Sequence, residues 1–165
     1  MTDMWMIIQI SDKNIEKYCE LSELYEDEFA PLTGASKNEN GIYPISTQID
    51  ETHIGYFMCN NGKMIGFIVI NIGVQPFDVC EFFILKEYRN QGLGQELAFK
   101  VFDLYDAIWK VKQLYNAKNA NSFWINIINK YTKGNYTQQV CNDEKWGKVY
   151  MQNFASKKTP IRKTG

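Results

Sequence analysis

Apolar positions along the chain recur with a period near four in some stretches and near two in others, and this alternation sets out the elements. Residues 5–10 form a short β-like run. Ser11 is placed to cap a helix over residues 12–29, with Asp12 in its first turn and Ile15, Tyr18, Cys19, Ser22, Tyr25 and Phe29 at helical spacing. Pro31 is expected to close that helix. Residues 31–50 carry Pro31, Gly34, Gly41 and Pro44 among Ser and Asn, and predict a long loop with room for a short helix after it. Residues 53–59 and 64–72 read as strands around Asn61-Gly62, a strong hairpin signal. A second hairpin-like joint near Pro76 leads into residues 79–85, apolar enough for a central strand. Helix is expected over 92–105, where Leu93, Leu97, Val101 and Leu104 share a face, then strand over 108–115 and helix over 117–131. Two strands, 135–141 and 148–154, finish the chain. The order β-α-loop-β-β-β-α-β-α-β-β implies an α+β fold, helices packed on a largely antiparallel sheet.

The length, 165 residues, suits one domain, taken as residues 1–156, followed by a basic tail over 157–165 with Lys157, Lys158, Arg162 and Lys163. Net charge is −1 and no basic stripe runs through the body, which argues against a nucleic-acid partner. No apolar run approaches the ~18 residues of a membrane span, and the short apolar start has no basic region before it. The four cysteines, Cys19, Cys59, Cys80 and Cys141, have no metal-ligand spacing, so no metal is expected. Cys19 and Cys80 stand among apolar residues and read as core thiols of a reducing, cytoplasmic setting.

The chemistry concentrates in Arg89-Asn90-Gln91-Gly92-Leu93-Gly94, where a strand gives way to a helix through a short polar turn. The first turn of a helix has N–H groups without intrahelical partners, and with the helix dipole they make an anion site. Gly92 and Gly94 leave the backbone open to close approach, and Arg89 and Gln91 add donors, so the assembly suits a pyrophosphate. A third glycine at dinucleotide spacing is missing, as is a Gly-Lys-Ser or Gly-Lys-Thr triphosphate loop.

Arg-x-x-Gly-x-Gly after an apolar strand resembles the acetyl-CoA motif of the GNAT acetyltransferase superfamily. The similarity takes in Glu81-Phe82-Phe83-Ile84-Leu85-Lys86-Glu87-Tyr88 before it and Ala120-Asn121-Ser122-Phe123-Trp124 beyond. The resemblance implies a mixed, mostly antiparallel sheet splayed after the central strand, and acetyl-CoA as cosubstrate. Pantetheine would add to that strand through main-chain contacts at Phe83, Ile84 and Leu85. The N–H of Leu85 would polarise the thioester carbonyl, and Arg89, Asn90, Gln91, Gly92, Leu93 and Gly94 would hold the pyrophosphate. Asn119 and Phe123 would flank the cofactor from the later helix. The implied reaction is N-acetylation: direct attack of a primary amine of a small molecule or peptide on the acetyl thioester, with a base to deprotonate it.

Glu81 is the candidate base, against the alternative of a strand glutamate paired with lysine or facing solvent. The family's late-helix tyrosine, a general acid, is replaced by Trp124, whose indole N–H donates without useful acidity; Tyr115, Tyr131 and Tyr136 are unranked substitutes. That replacement keeps open a second function, a non-catalytic acyl-CoA-binding sensor or interaction module. His53, the single histidine, reads as a surface residue. Glu16, Glu20, Glu23, Glu26, Asp27 and Glu28 on the first helix form either a solvated face or an acidic field favouring a cationic acceptor. The exposed final strands offer a surface for a homodimer.

Overall fold

The computed structural model describes residues 4–157 of the chain. In chain order its elements are β1 (Met6–Gln9), α1 (Ile15–Thr33), β2 (His53–Asn60), β3 (Lys63–Asn71), β4 (Phe77–Ile84), a 3₁₀ turn (Lys86–Tyr88), α2 (Leu93–Asp103), β5 (Ile108–Leu114), α3 (Lys118–Thr132), β6 (Thr137–Asp143) and β7 (Gly147–Ala155). The basic tail lies, from residue 158 onward, outside the described residues. Among the described residues no helix is long and apolar enough to cross a membrane.

Seven strands form one sheet in the order β1-β2-β3-β4-β5-β7-β6. All neighbours are antiparallel except β4 and β5. β2 and β3 are buried along nearly their whole length, which matches their unbroken apolar runs. Asn61 and Gly62 both take positive φ, 51° and 79°, as a two-residue hairpin of this hand requires. β5 alternates, burying Trp109, Val111 and Gln113, and β6 at the outer edge exposes most of its side chains.

Two apolar cores lie on opposite faces of the sheet. One gathers Leu97, Val101 and Phe102 of α2 and Trp124, Ile127, Ile128 and Tyr131 of α3 against Met58, Ile68 and Trp109. The other gathers Tyr18 and Leu21 of α1 with Phe57, Phe67, Val69 and Phe83. The sheet therefore separates α1 from α2 and α3.

Four local expectations differ from the structure. The first helix begins at Ile15 rather than Asp12, because Ser11 to Asn14 close a separate turn: Asn14 Oδ1 accepts from Ser11 N and Asn14 N donates to Ser11 O. It also runs through Pro31 to Thr33 and stops at Gly34, whose φ of 76° lets its N–H return to Ala30 O. Residues 34–52 contain no helix. The loop is instead held by side chains of α1. Cys19 is exposed and not a core thiol; Cys80 is half-buried and packs against the second core, and the fully buried cysteine is Cys59.

Candidate functional site

β4 and β5 are paired only through Phe77↔Trp109 and Asp78↔Lys110. Beyond Asp78 the two strands part, so the splay opens inside β4. The antiparallel ladder on the other side fixes which main-chain groups face the opening. Leu85 N donates to Ile65 O at 2.8 Å, and the register continues through Phe67↔Phe83 and Val69↔Glu81. In such a ladder, residues that exchange hydrogen bonds alternate with residues whose N–H and C=O point away. Phe82 therefore turns its N–H and C=O to the gap and Ile84 its N–H, the Ile84 C=O being taken by Arg89, while Phe83 and Leu85 turn theirs to β3. The expectation that Leu85 N–H meets a thioester carbonyl is corrected here: that donor is engaged within the sheet. A register shift between Val69 and Ile70 leaves Cys80 unmatched next to Glu81.

The turn after β4 is built as a concave run of donors. Asn90 and Gly92 take positive φ, 62° and 80°, and α2 starts at Leu93. Among the described residues, no protein acceptor meets the backbone N–H of Gln91, Gly92, Leu93, Gly94 or Gln95. The space where a Cβ would stand on Gly92 is open. On Gly94 a Cβ would lie 3.1 Å from the Phe123 ring and 3.3 Å from that of Phe82, so Gly94 lets α2 close on these rings. The turn thus fits an anionic diphosphate by the chemistry of its main chain.

The side chains of Arg89 and Gln91 do not join that donor set. Arg89 Nε donates to Ile84 O at 2.7 Å and its Nη2 to Glu28 Oε1 at 2.8 Å, while the guanidinium lies over Phe83. Arg89 is a strut between the strand end and α1. Gln91 Nε2 donates to Glu87 O within the turn itself.

The gap widens into a cleft of about 940 Å³. Its walls include Val79 and Glu81 of β4, Val111 and Gln113 of β5, Tyr25 and Glu26 of α1, and Trp124 of α3. Glu81 is only 8 % exposed. Thr47 Oγ1 donates to its Oε1 at 3.0 Å, and Tyr25 faces the same carboxylate. Burial holds the Glu81 carboxyl above its ordinary range, with Tyr25 and Thr47 opposing the rise. Tyr25 is itself pushed well above the usual phenol range, by burial and then by the Glu81 charge, so it stays a hydrogen-bond donor. Cys80 beside them is pushed up to about 12, chiefly by burial, and is therefore a thiol rather than a nucleophile.

The acidic helix divides: Glu16 and Glu20 are exposed, whereas Glu23, Glu26, Asp27 and Glu28 hold partners in the fold. Tyr43 N donates to Glu23 Oε2 and Tyr43 Oη to Asp27 Oδ1; Ser46 Oγ donates to Glu26 Oε1 at 2.5 Å; Glu28 holds Arg89. Tyr18 Oη donates to Thr47 O. These bonds clasp the loop onto α1 and deliver Thr47 to Glu81. The clasp was missed in the sequence, although a carboxylate at position 26, four residues after Ser22 on the apolar stripe, was its visible sign.

Other expected residues are dispersed. Phe123 stacks against Phe82, with ring centroids 5.3 Å apart, and Asn119 is exposed and does not line the cleft. Trp124 packs edge-on against Phe82 at 4.9 Å. Tyr131 donates to Asp103 and accepts from Lys157 N, away from the cleft; Tyr115 is exposed and stacked on Tyr150; Tyr136 packs against the core. His53 lines the rim, bonded to Asp50 at 3.0 Å.

Comparison with family models finds a match over residues 18–123 to the Acetyltransferase (GNAT) family. A search of curated proteins finds no match. Among solved structures, the chain is similar to the ribosomal-protein-S18-alanine N-acetyltransferase of Escherichia coli, with 11% identity, TM-score 0.62, and 96% of this chain and 98% of that one covered. It is also similar to the PaiA N-acetyltransferase of Thermoplasma acidophilum in complex with coenzyme A, with 13% identity, TM-score 0.63, and coverages of 92% and 99%. A third is a spermidine N-acetyltransferase chimera from Vibrio cholerae and hSSAT, with 7% identity, TM-score 0.61, and coverages of 92% and 96%.

Proposed function

The chain belongs to the acetyltransferase (GNAT) family, and from that premise we propose that it moves the acetyl group of acetyl-CoA to a primary amine by direct attack in a ternary complex. The observation that carries this reading is the position of Glu81: a buried carboxylate on the one strand whose main chain, at Phe82 and Ile84, faces an opening in the sheet. Bound acetyl-CoA supplies the activated thioester. The N–H groups of Gln91 to Gln95 are the donors for its diphosphate, and those of Phe82 and Ile84, not Leu85, are the donors for its amides and thioester carbonyl.

The acceptor arrives from the α1 side. A primary ammonium of pKa about 10 carries a proton at neutral pH, as a lysine side chain does. Glu81 takes that proton, directly or through a water. The freed amine forms its N–C bond to the acetyl carbon, the C–S bond breaks, and the departing thiolate takes up the second proton that the amide nitrogen sheds and leaves as the thiol. The raised affinity of Glu81 for a proton brings it nearer the operating pH than an exposed glutamate.

Trp124 supports the second reading, an acyl-CoA-binding module without turnover, since it is 6 % exposed where a tyrosine acid would be expected. Calorimetric titration with acetyl-CoA, with Gly92→Trp as a blocked-turn control, followed by an amine panel, separates the two. Saturable binding lost in the control, with turnover that Glu81→Gln slows while affinity holds, supports the enzyme. Binding without turnover supports the module. A folded wild type that does not bind acetyl-CoA refutes both.

A further inference from the structure

The cleft contains a second buried carboxylate that the transfer step leaves without a task. Glu26 is 5 % exposed and lines the cleft together with Glu81. Its Oε1 accepts from Ser46, and its Oε2 has no protein hydrogen-bond partner among the described residues. Neither Glu26 nor Glu81 has a lysine or arginine within 4.0 Å among the described residues, although five other carboxylates of the molecule are paired with lysine or arginine. The negative charge of Glu26 contributes to the raised proton affinity of Glu81, so the two share one electrostatic environment.

Two carboxylates this little exposed are costly unless a cation joins them. Asp78 adds to the same wall, with a buried Oδ1 that has no hydrogen-bond partner among the described residues. Of the basic groups that line the cleft, Lys112 is held by Asp143 at 2.8 Å and stands 4.0 Å from Asp78 Oδ2, and Lys145 is the remaining lysine.

Resting on the acetyl-transfer reading, we infer that Glu26 sets acceptor specificity: it receives a second ammonium, so the acceptor is an aliphatic diamine or polyamine, and a carboxylate on the acceptor is rejected. Glu81 serves the reacting nitrogen. Glu26 acts on binding, by charge, and through the same charge it helps hold up the proton affinity of Glu81 without touching the reacting nitrogen.

Three amines of one length isolate charge: 1,4-diaminobutane, n-butylamine and 4-aminobutyrate. Each is titrated into the protein alone by calorimetry and assayed as acceptor with acetyl-CoA. The wild type prefers the diamine to the aminobutyrate by about 100-fold in kcat/KM, with butylamine between. Glu26→Gln, whose amide oxygen still accepts from Ser46, cuts that preference about tenfold by raising KM for the diamine, and leaves kcat unchanged on the high-pH plateau where Glu81 is ionised in both proteins. Ser46→Ala, which breaks the clasp and keeps the charge, preserves the order. Equal use of the three amines, an unchanged preference in Glu26→Gln, or no transfer to any of them by protein that binds acetyl-CoA overturns the inference. Charge-ordered binding that Glu26→Gln abolishes, in protein that fails to bind acetyl-CoA, would sustain the cation site and remove the acetyl-transfer reading instead.

Discussion

Thr47→Val is the sharpest probe of the proposed base, because it removes one hydroxyl and keeps the shape. In the structure Thr47 Oγ1 donates to Glu81 Oε1 at 3.0 Å, and Glu81 is 8 % exposed. A hydrogen bond to a charged group is worth about 1.5–3 kcal/mol, and 1.36 kcal/mol corresponds to about one pKa unit. The donor favours the ionised carboxylate, so its loss raises the Glu81 pKa further, by about one to two units on those figures. The loop stays in place, since Tyr18 Oη still holds Thr47 O and Ser46 still holds Glu26. The assay is the pH dependence of kcat/KM, which reports the free enzyme. The acid limb should move to higher pH by about one to two units, so the variant is slower below the limb and equals the wild type on the plateau. Carboxyl-carbon NMR of Glu81 should show the same displacement without any substrate. If the resonance moves and the rate profile does not, Glu81 is not the base. If neither moves, the hydrogen bond does not govern this carboxylate, and the electrostatic account of the site fails.

Arg89→Ala should act through the strut rather than through direct phosphate contact. It should cost about 1–3 kcal/mol of stability in chemical denaturation, the range for a charge-assisted bond, with acetyl-CoA affinity falling in parallel; a lower affinity at unchanged stability would return Arg89 to the phosphate site. Gly94→Val should drive a branched side chain into Phe123 and Phe82, destabilising the fold by about 1–3 kcal/mol, as overpacking does, and an unchanged thermal midpoint would refute the close approach.

The order of elements along the chain and most of their boundaries were legible because the apolar runs of β2, β3 and β4 are long and the Asn61-Gly62 turn is unambiguous. The pyrophosphate turn was legible because two glycines at a strand-to-helix joint have few other uses. What did not show was the direction of side chains. Arg89 reads as a phosphate donor in the motif, yet the nearest anion in the fold is Glu28, 61 residues away, and Ile84 O lies under its Nε. The role of Leu85 failed for a related reason: which N–H groups face a gap depends on ladder phase, set by the Ile65 partner, and a period-two pattern does not carry that phase. Tyr25, Glu26 and Thr47 belong to the site only because residues 34–52 fold back on α1, through bonds 16 to 20 positions long at Tyr43 and Ser46.

The short pairing of β4 with β5 has a mechanical consequence. With two residue pairs joining them at Phe77 and Asp78, the sheet behaves as two stiff plates sharing a seam at one end, and the rings of Phe82 and Trp124 line the opening as a wedge, with Phe123 packed against both. The angle between the plates is then a property of that wedge, separable from the stability of either plate. Smaller rings there would let the plates close and larger ones would spread them, so the bore of the opening is adjustable by side chains that leave either plate intact.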